Sequence, residues 1–455
     1  MDATSRLTAR AELPAAELHA SIGDDVLGSV TFLNEVAAAH PDAVSFAAGA
    51  AHEDAFAEVD VGGLVDEYAA HLADRHGMDD RAVRRTLFQY GPARGHIGEL
   101  IAEGLRRDLG IDVAAAAIVV TVGCQEAMLV ALRALCRGPG DLVAAVDPCY
   151  PGLRGAARLL DVDLLPVADS GATVDLAGLR AACREARASG GRVRALYVAP
   201  DFANPSGTLL DLETRRSLLA LAEEEDLYLL EDGVYGFTAA APHRLPSLKA
   251  LDATGRVIHL GSFAKIGAPG ARVGYLVADR RVRSGSGARL LADDLAAVKS
   301  MVTNHTSPIS QAVVAGMLLR HGGSLSALGR AKAHRYRRNL RLLLDALEHA
   351  AAVRGERFPE VTWNRPDGGF FVRLRLPIPV TDGLLEVSAR EFGVLWTPMR
   401  HFYIGTGGEH ELRLACSNLD ERRLRIGVDR LCDFLEAVCP PPRSRRADRE
   451  ASACG

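Results

Sequence analysis

The sequence predicts an α/β fold: a mostly parallel central sheet with helices on both faces, joined to a smaller α+β C-terminal domain. Three observations predict it. Short apolar, β-branched runs alternate with helix-length stretches of 3.6 periodicity, and strands separated by helices make a parallel sheet covered on both faces. The texture then changes, because from about Leu290 a long helical region runs towards residue 350, followed by two strand-like runs and a last helix. Finally, polar and Gly-containing segments follow one strand after another, which is where open α/β sheets bind ligands.

In chain order, the strand candidates are Ile118–Val122, Leu142–Asp147, Ala195–Ala199, Leu227–Glu231, Val257–Leu260 and Val273–Val277. Between them, Glu126–Cys136 and Leu212–Glu225 carry helical periodicity. Gly369–Leu376 and Glu411–Cys416 read as strands of the second domain, and Arg422–Val438 as its closing helix. A chain of 455 residues suits one large domain plus a smaller one. The expected division is a flexible arm over residues 1–20, a large domain over 46–300, a small domain over 301–439 and a disordered tail over 440–455.

Composition excludes several classes. The net charge of −5 offers no positive field to nucleic acid or an anionic membrane. No segment reaches the roughly 18 apolar residues that a membrane helix needs. The first 25 residues lack the apolar core of a secretory signal. Eight cysteines are scattered without a CxxC pair or a histidine at metal spacing, which suits reduced thiols in the cytoplasm and predicts no metal site.

The chemistry lies at the strand ends. Gly123-Cys124-Gln125 opens a helix after the first strand, and the free N–H groups there suit a phosphate. After the second strand, Tyr150 stands on a Pro-flanked turn from which it can stack on a flat ring or serve as a core aromatic. Asn204, before Pro205, is placed to hydrogen-bond a ligand oxygen. Asp232, at the end of an apolar strand, needs a cation such as a protonated pyridine nitrogen. The sharpest segment runs from Gly261 to Gly274. It sets Lys265 in a small-residue loop, with Ser262 before it and Arg272 seven positions after it. A buried amine near an aldehyde-bearing cofactor is what Schiff-base chemistry requires, and a serine with an arginine is what a phosphate dianion requires. Lysine is scarce elsewhere in this Arg-rich chain.

DFANPSG, EDGVYG, GSFAKIGAPGARVGY and ELRLACSNLD, in that order, resemble class I/II aminotransferases of the pyridoxal-phosphate (PLP) fold type I. The nearest branch is that of 2-aminoadipate and kynurenine-type enzymes and of the aminotransferase half of MocR-type regulators. The resemblance covers about residues 25–438. It implies an enzyme acting on an L-amino acid through a Lys265 Schiff base and a carbanion, with a 2-oxo acid as acceptor, plausible in specialised metabolism. It implies that Lys265 moves the Cα proton, Asp232 pairs with the pyridine nitrogen, and Asn204 and Tyr235 hydrogen-bond the phenolic oxygen. Tyr150 would stack on the ring, and Gly123, Cys124, Gln125, Ser262 and Arg272 would hold the phosphate. Arg413 would grip the substrate carboxylate beside Gly49 and Asn204. Tyr90 would reach the partner's cofactor in a homodimer, and residues 21–45 would pack with the small domain. The same fold hosts elimination, replacement and C–C bond formation, which stand as the alternative. A PLP-sensing regulator is disfavoured, because only a short, non-basic segment precedes the first motif.

The sequence also departs from the family pattern. Ala264 and Cys124 stand where serines are usual, and Ser45–His52 lacks a common proline. The stretch Ala73–Asp80 looks longer than usual, and Pro398-Met399-Arg400-His401-Phe402 replaces a Pro-Gly pair. Arg400, with His52 or His76, is the candidate for recognising an unusual or acidic substrate group.

Overall fold

The computed structural model describes residues 13–440 apart from Glu58, residues 241–243 and Ser286. Residues 1–12 of the expected arm and 441–455 of the expected tail lie outside the described residues.

After a short strand β1 (Val44–Ser45), seven strands build the central sheet. They are β2 (Ile118–Thr121), β3 (Asp141–Asp147), β4 (Asp163–Ala168), β5 (Arg192–Val198), β6 (Tyr228–Asp232), β7 (Val257–Ser262) and β8 (Gly274–Val277). Their spatial order is β2-β8-β7-β6-β5-β3-β4, and β8 runs antiparallel to both its neighbours. Six of these strands match the apolar runs of the sequence. The seventh, β4, escaped because it is an edge strand with an exposed Asp163 and with Pro166 in its middle. Proline in a strand is tolerated only where no neighbour needs its N–H, so at an edge the apolar signature is diluted.

Both faces of the sheet are covered. Along β2, Val119 packs under the helices Gly123–Leu135 and Leu291–Val302, while Ile118 and Val120 pack on the other face against Gly98–Leu109 and Pro308–Arg320. This period-two alternation with apolar residues on both sides explains why the strands read as continuous hydrophobic runs. A hairpin of β9 (Arg281–Ser284) and β10 (Gly287–Leu290) leads into the helical region.

The second sheet is antiparallel, in the order β11 (Thr362–Trp363), β12 (Phe371–Arg375), β15 (Glu411–Ala415), β14 (Thr397–Pro398). Leu340, Leu343 and Leu347 of helix Leu325–Arg354 and Leu424, Val428 and Leu431 of helix Glu421–Val438 close its core. Strand β1 pairs in parallel with β13 (Val394–Leu395), which brings Val44 and Phe46 of the N-terminal segment into the same core. Helix Pro308–Arg320 instead contributes Ala312, Val314 and Leu318 to the core under β2. Residues 308–320 thus pack with the first sheet, beyond the division expected at residue 300, since helical periodicity does not tell which sheet a helix covers. No helix among the described residues is long and apolar enough to cross a membrane.

Candidate active site

A cavity of about 310 Å³ opens at the carboxyl ends of the central strands, where the second sheet meets them. It gathers residues far apart in sequence: Gly49, Cys124, Gln125, Tyr150, Asn204, Asp232, Tyr235, Ser262, Lys265, Arg272 and Arg413 all line it. The fold accounts for each placement. Residues 123–125 follow β2 and start a 13-residue helix that has no side-chain cap, so its first N–H groups point towards the cavity with no side-chain acceptor. Gly123 has φ +71, and a Cβ there would stand 2.5 Å from the Arg272 guanidinium, so only glycine lets the arginine lie across the turn.

Ser262 ends β7 and caps the short helix Phe263–Ile266 by accepting from Ala264 N at 3.1 Å, which leaves its own hydroxyl proton to donate elsewhere. Lys265 sits on that helix. Its Nζ donates to the Gly49 carbonyl at 2.5 Å, and burial, with Arg413 and Arg272 nearby, lowers its pKa to about 8. The other lysines are engaged elsewhere. Lys249 pairs with Asp252 and Asp279, Lys299 pairs with Glu126, and Lys332 reaches the Ile266 and Gly267 carbonyls.

Asp232, the last residue of β6, is buried. Its Oδ2 accepts from the Tyr197 hydroxyl at 2.5 Å and its Oδ1 from Val234 N at 3.3 Å. Burial pushes its pKa up, and these two donors pull the other way. Tyr197 was missed in the sequence. It lies inside β5, where an aromatic reads as core, and nothing in a strand pattern tells a packed ring from one with a directed hydroxyl. Burial and the Asp232 carboxylate hold the Tyr197 hydroxyl well above its ordinary pKa, so it stays a donor.

Arg413, on β15, is buried in the apolar joint between the sheets. Its Nη1 donates to Asn204 Oδ1 at 2.6 Å, and its Nη2 to the Ala47 carbonyl at 2.6 Å and to Thr397 Oγ1 at 3.2 Å. Its Nε has no partner. The guanidinium lies over two rings, Phe371 at 4.5 Å and Phe402 at 4.8 Å. Burial lowers its pKa to about 10. Among the described residues no carboxylate forms an ion pair with Arg413, Arg272 or Lys265, and Asp232 is the only acid lining the cavity. Three cations facing one acid leave an excess of positive charge that only anionic ligands neutralise.

Four residues singled out in the sequence, Tyr90, Arg400, His52 and His76, do not line the cavity. Tyr90 is 80% exposed, its ring edge-on to His305 at 5.7 Å. Arg400 turns away and pairs with Asp382, which also holds His401 at 2.9 Å. His52 caps a short turn by accepting from Asp54 N and lines a separate cavity with His40 and Arg423. His76 lines another beside His71 and His96. The cation chosen from the 398–402 segment was thus the wrong one of its residues to face the site, because Phe402 lines the cavity instead.

One further acid, outside the cavity lining, is perturbed by burial. Asp147, at the end of β3, accepts from Ile404 N at 3.0 Å, and burial raises its pKa to about 6 against the pull of that bond and of Arg154. A raised carboxylate pKa means that the fold disfavours the ionised form, so stability present below the unfolded value of about 3.9 is lost as pH rises through about 6. Asp147→Asn keeps an acceptor for Ile404 N–H. Its melting temperature, relative to the parent, should therefore be higher at about pH 8 than at about pH 5.

The chain matches the family described as aminotransferase class I and II over residues 65–431. It is an aminotransferase of that family. It is 45% identical to the (S)-3,5-dihydroxyphenylglycine transaminase of Amycolatopsis orientalis, over 95% of this chain and 97% of that one. Among solved structures it resembles the kynurenine aminotransferase of Pyrococcus horikoshii, with a TM-score of 0.74 and 26% identity over 96% of this chain and 98% of that one. It also resembles the α-aminoadipate aminotransferase of Thermus thermophilus, solved with N-(5'-phosphopyridoxyl)-L-leucine, with a TM-score of 0.70 and 27% identity over 91% and 97% of the two chains. The aminotransferase is a PLP-dependent enzyme of fold type I, and its substrates are an amino acid and a 2-oxo acid.

Proposed function

We propose that this aminotransferase acts on an aromatic L-amino acid, with Lys265 as the amine at the cofactor and Arg413 as the carboxylate clamp. The single observation that carries the clamp is a buried guanidinium with an unpartnered Nε and no carboxylate in reach among the described residues. The cavity fits PLP on its own geometry. The uncapped helix start, Ser262 and Arg272 suit the phosphate, with the Cys124 thiol beside them. Burial and Asp232 raise the Cys124 pKa, so it adds no negative charge there. Asp232 would meet the pyridine nitrogen, the Tyr150 ring would offer a face to stack on, and Asn204 and Tyr235 would serve the phenolic oxygen.

PLP supplies an aldehyde that takes the substrate amine and a ring that draws electrons from the substrate Cα. The protein does the rest. Arg413 binds the α-carboxylate in its planar fork, and that grip sets which Cα bond stands perpendicular to the ring. Lys265 Nζ, neutral above about pH 8, would take the proton from the substrate Cα and hold it for return on the far side of the nitrogen. Tyr197 favours the ionised form of Asp232 by donating to it, against the burial that raises its pKa, and Asp232 would hold the proton on the ring nitrogen. A 2-oxo acid offers the same carboxylate to the same clamp, so one cavity serves both half-reactions.

The aromatic preference is supported by what the substrate side chain meets. Leu33, Phe371 and Phe402 line that side of the cavity, and the cations lining it are Lys265, Arg272 and Arg413, each with a role. The relative from Amycolatopsis orientalis is named for an arylglycine. A homodimer is supported by the exposed apolar residues Phe88, Tyr90, Met301, Val302 and Ile309, a set a monomer seldom leaves in water. Tyr90 against His305 ties the loop of the first two to the segment of the others. The seven unpaired cysteines of the described residues fit a reducing, cytoplasmic setting.

The test is spectroscopic. Purified yellow holoprotein mixed with phenylglycine or its hydroxylated forms should convert stoichiometrically to the pyridoxamine form and release an aryl 2-oxo acid. Conversion by 2-aminoadipate but by no aromatic amino acid contradicts the substrate reading. Release of a leaving group with PLP retained contradicts transamination.

A further inference from the structure

Of the turn Met399–Phe402, where the chain departs from its family, Phe402 is the residue that lines the cavity. The backbone of the turn is fixed with unusual care. Cys149 N donates to the Phe402 carbonyl at 3.0 Å, Arg154 Nη1 to the His401 carbonyl at 2.8 Å, and Ile404 N to Asp147 Oδ1 at 3.0 Å. All three partners lie between the end of β3 and the helix Pro151–Leu159, the stretch that carries Tyr150. From the other side, Gly408, with φ +74, lets its backbone approach Met399 and Arg400 so closely that a Cβ would stand 2.8 Å from both. Asp382 ties down the Arg400 and His401 side chains. The result is an aromatic ring held at one position by contacts from both domains.

The aromatic rings in the cavity wall are not equivalent. Phe371 is edge-on to Tyr235 at 5.6 Å and packed on Phe370 at 4.6 Å, within the core of the second sheet. Tyr150 is placed for the cofactor. Among the described residues Phe402 has one π-contact, the Arg413 guanidinium at 4.8 Å, and it lines the cavity alongside Leu33 of helix Asp25–Ala39. A substrate whose α-carboxylate lies on Arg413 brings its side chain next to that ring.

We propose that Phe402 is a specificity-determining residue, the wall on which the substrate's aromatic ring packs when Arg413 holds its carboxylate. This rests on the reading of the substrate as aromatic. An aryl ring gains a ring-to-ring contact there, with geometry set by the fixed turn, whereas the methyl of alanine does not reach it. Rigidity matters, because a ring already held in place loses no rotamer freedom on binding.

The experiment compares Phe402→Leu and Phe402→Tyr with the parent, using phenylglycine and alanine as amino donors and PLP absorbance as the control for cofactor retention. Phe402→Leu should lower kcat/KM for phenylglycine by roughly 10- to 100-fold, the range for losing an apolar contact in a pocket, and that for alanine by less than about 3-fold. Phe402→Tyr, which keeps the ring, should retain the parental preference. Equal losses for both donors in Phe402→Leu overturn this inference alone, because the ring then serves only to steady Arg413. Unchanged kinetics overturn it as well. A parent enzyme that uses alanine as well as phenylglycine overturns the aromatic reading and this inference with it.

Discussion

Lys265→Ala is expected to yield a colourless protein whose turnover falls by roughly 10⁴-fold, the upper range for removing a proton-transfer group. Two functions vanish together: the amine that meets the cofactor's aldehyde and the base that moves the Cα proton. No other lysine can substitute, because Lys249 and Lys299 are held by carboxylates and Lys332 by backbone carbonyls. Compared with the parent apoprotein, melting temperature should change little, since Lys265 pairs with no acid among the described residues and gives up its bond to the Gly49 carbonyl and its place over the Phe370 ring. The pH dependence follows from its surroundings. Burial, Arg413 and Arg272 disfavour the ammonium and lower the pKa to about 8. Only the neutral amine attacks an aldehyde, so PLP uptake by the apoenzyme should quicken as pH rises through about 8 and level off above it. A profile still climbing towards the ordinary lysine value would show that the amine is not desolvated.

Asp232→Asn is expected to lower kcat by roughly 10²- to 10³-fold, the range for losing one fixed group that stabilises charge developing in the transition state. The amide fills the same space, so the loss is electrostatic. Buried Asp232 is the only acid among the described residues that lines the cavity, and without it the pyridine nitrogen would give up its proton and the ring would draw electrons weakly. The discriminating control is reconstitution with N-methyl-PLP, whose ring nitrogen carries a fixed positive charge. Partial recovery of kcat supports the assigned role, and no recovery assigns Asp232 to packing. Tyr197→Phe should shift the same balance more weakly, as it removes one of the two donors to that carboxylate.

Much of this was legible in the chain, for a physical reason. Strands buried on both faces are apolar throughout, so six of the seven central strands stood out, while the edge strand Asp163–Ala168 with its proline did not. The lining of the cavity was legible where rare residues stand in small-residue turns, as at Lys265, Arg272 and Asn204. It was illegible where function uses ordinary core chemistry. Tyr197 looks like any strand aromatic, and Phe402 follows two charged residues that looked more functional than it did. Arg400 shows the opposite error, since its guanidinium has a partner, Asp382, eighteen residues upstream that no local pattern reveals. The packing of residues 308–320 under the first sheet was hidden for the same reason, since a buried helix announces its period but not its neighbour.

The most direct measurement is hydride reduction of the purified holoprotein followed by digestion and mass spectrometry. One pyridoxyl adduct, on the peptide that carries Lys265, is the predicted result. An adduct on the Lys332 peptide, or none on that of Lys265, would contradict the account.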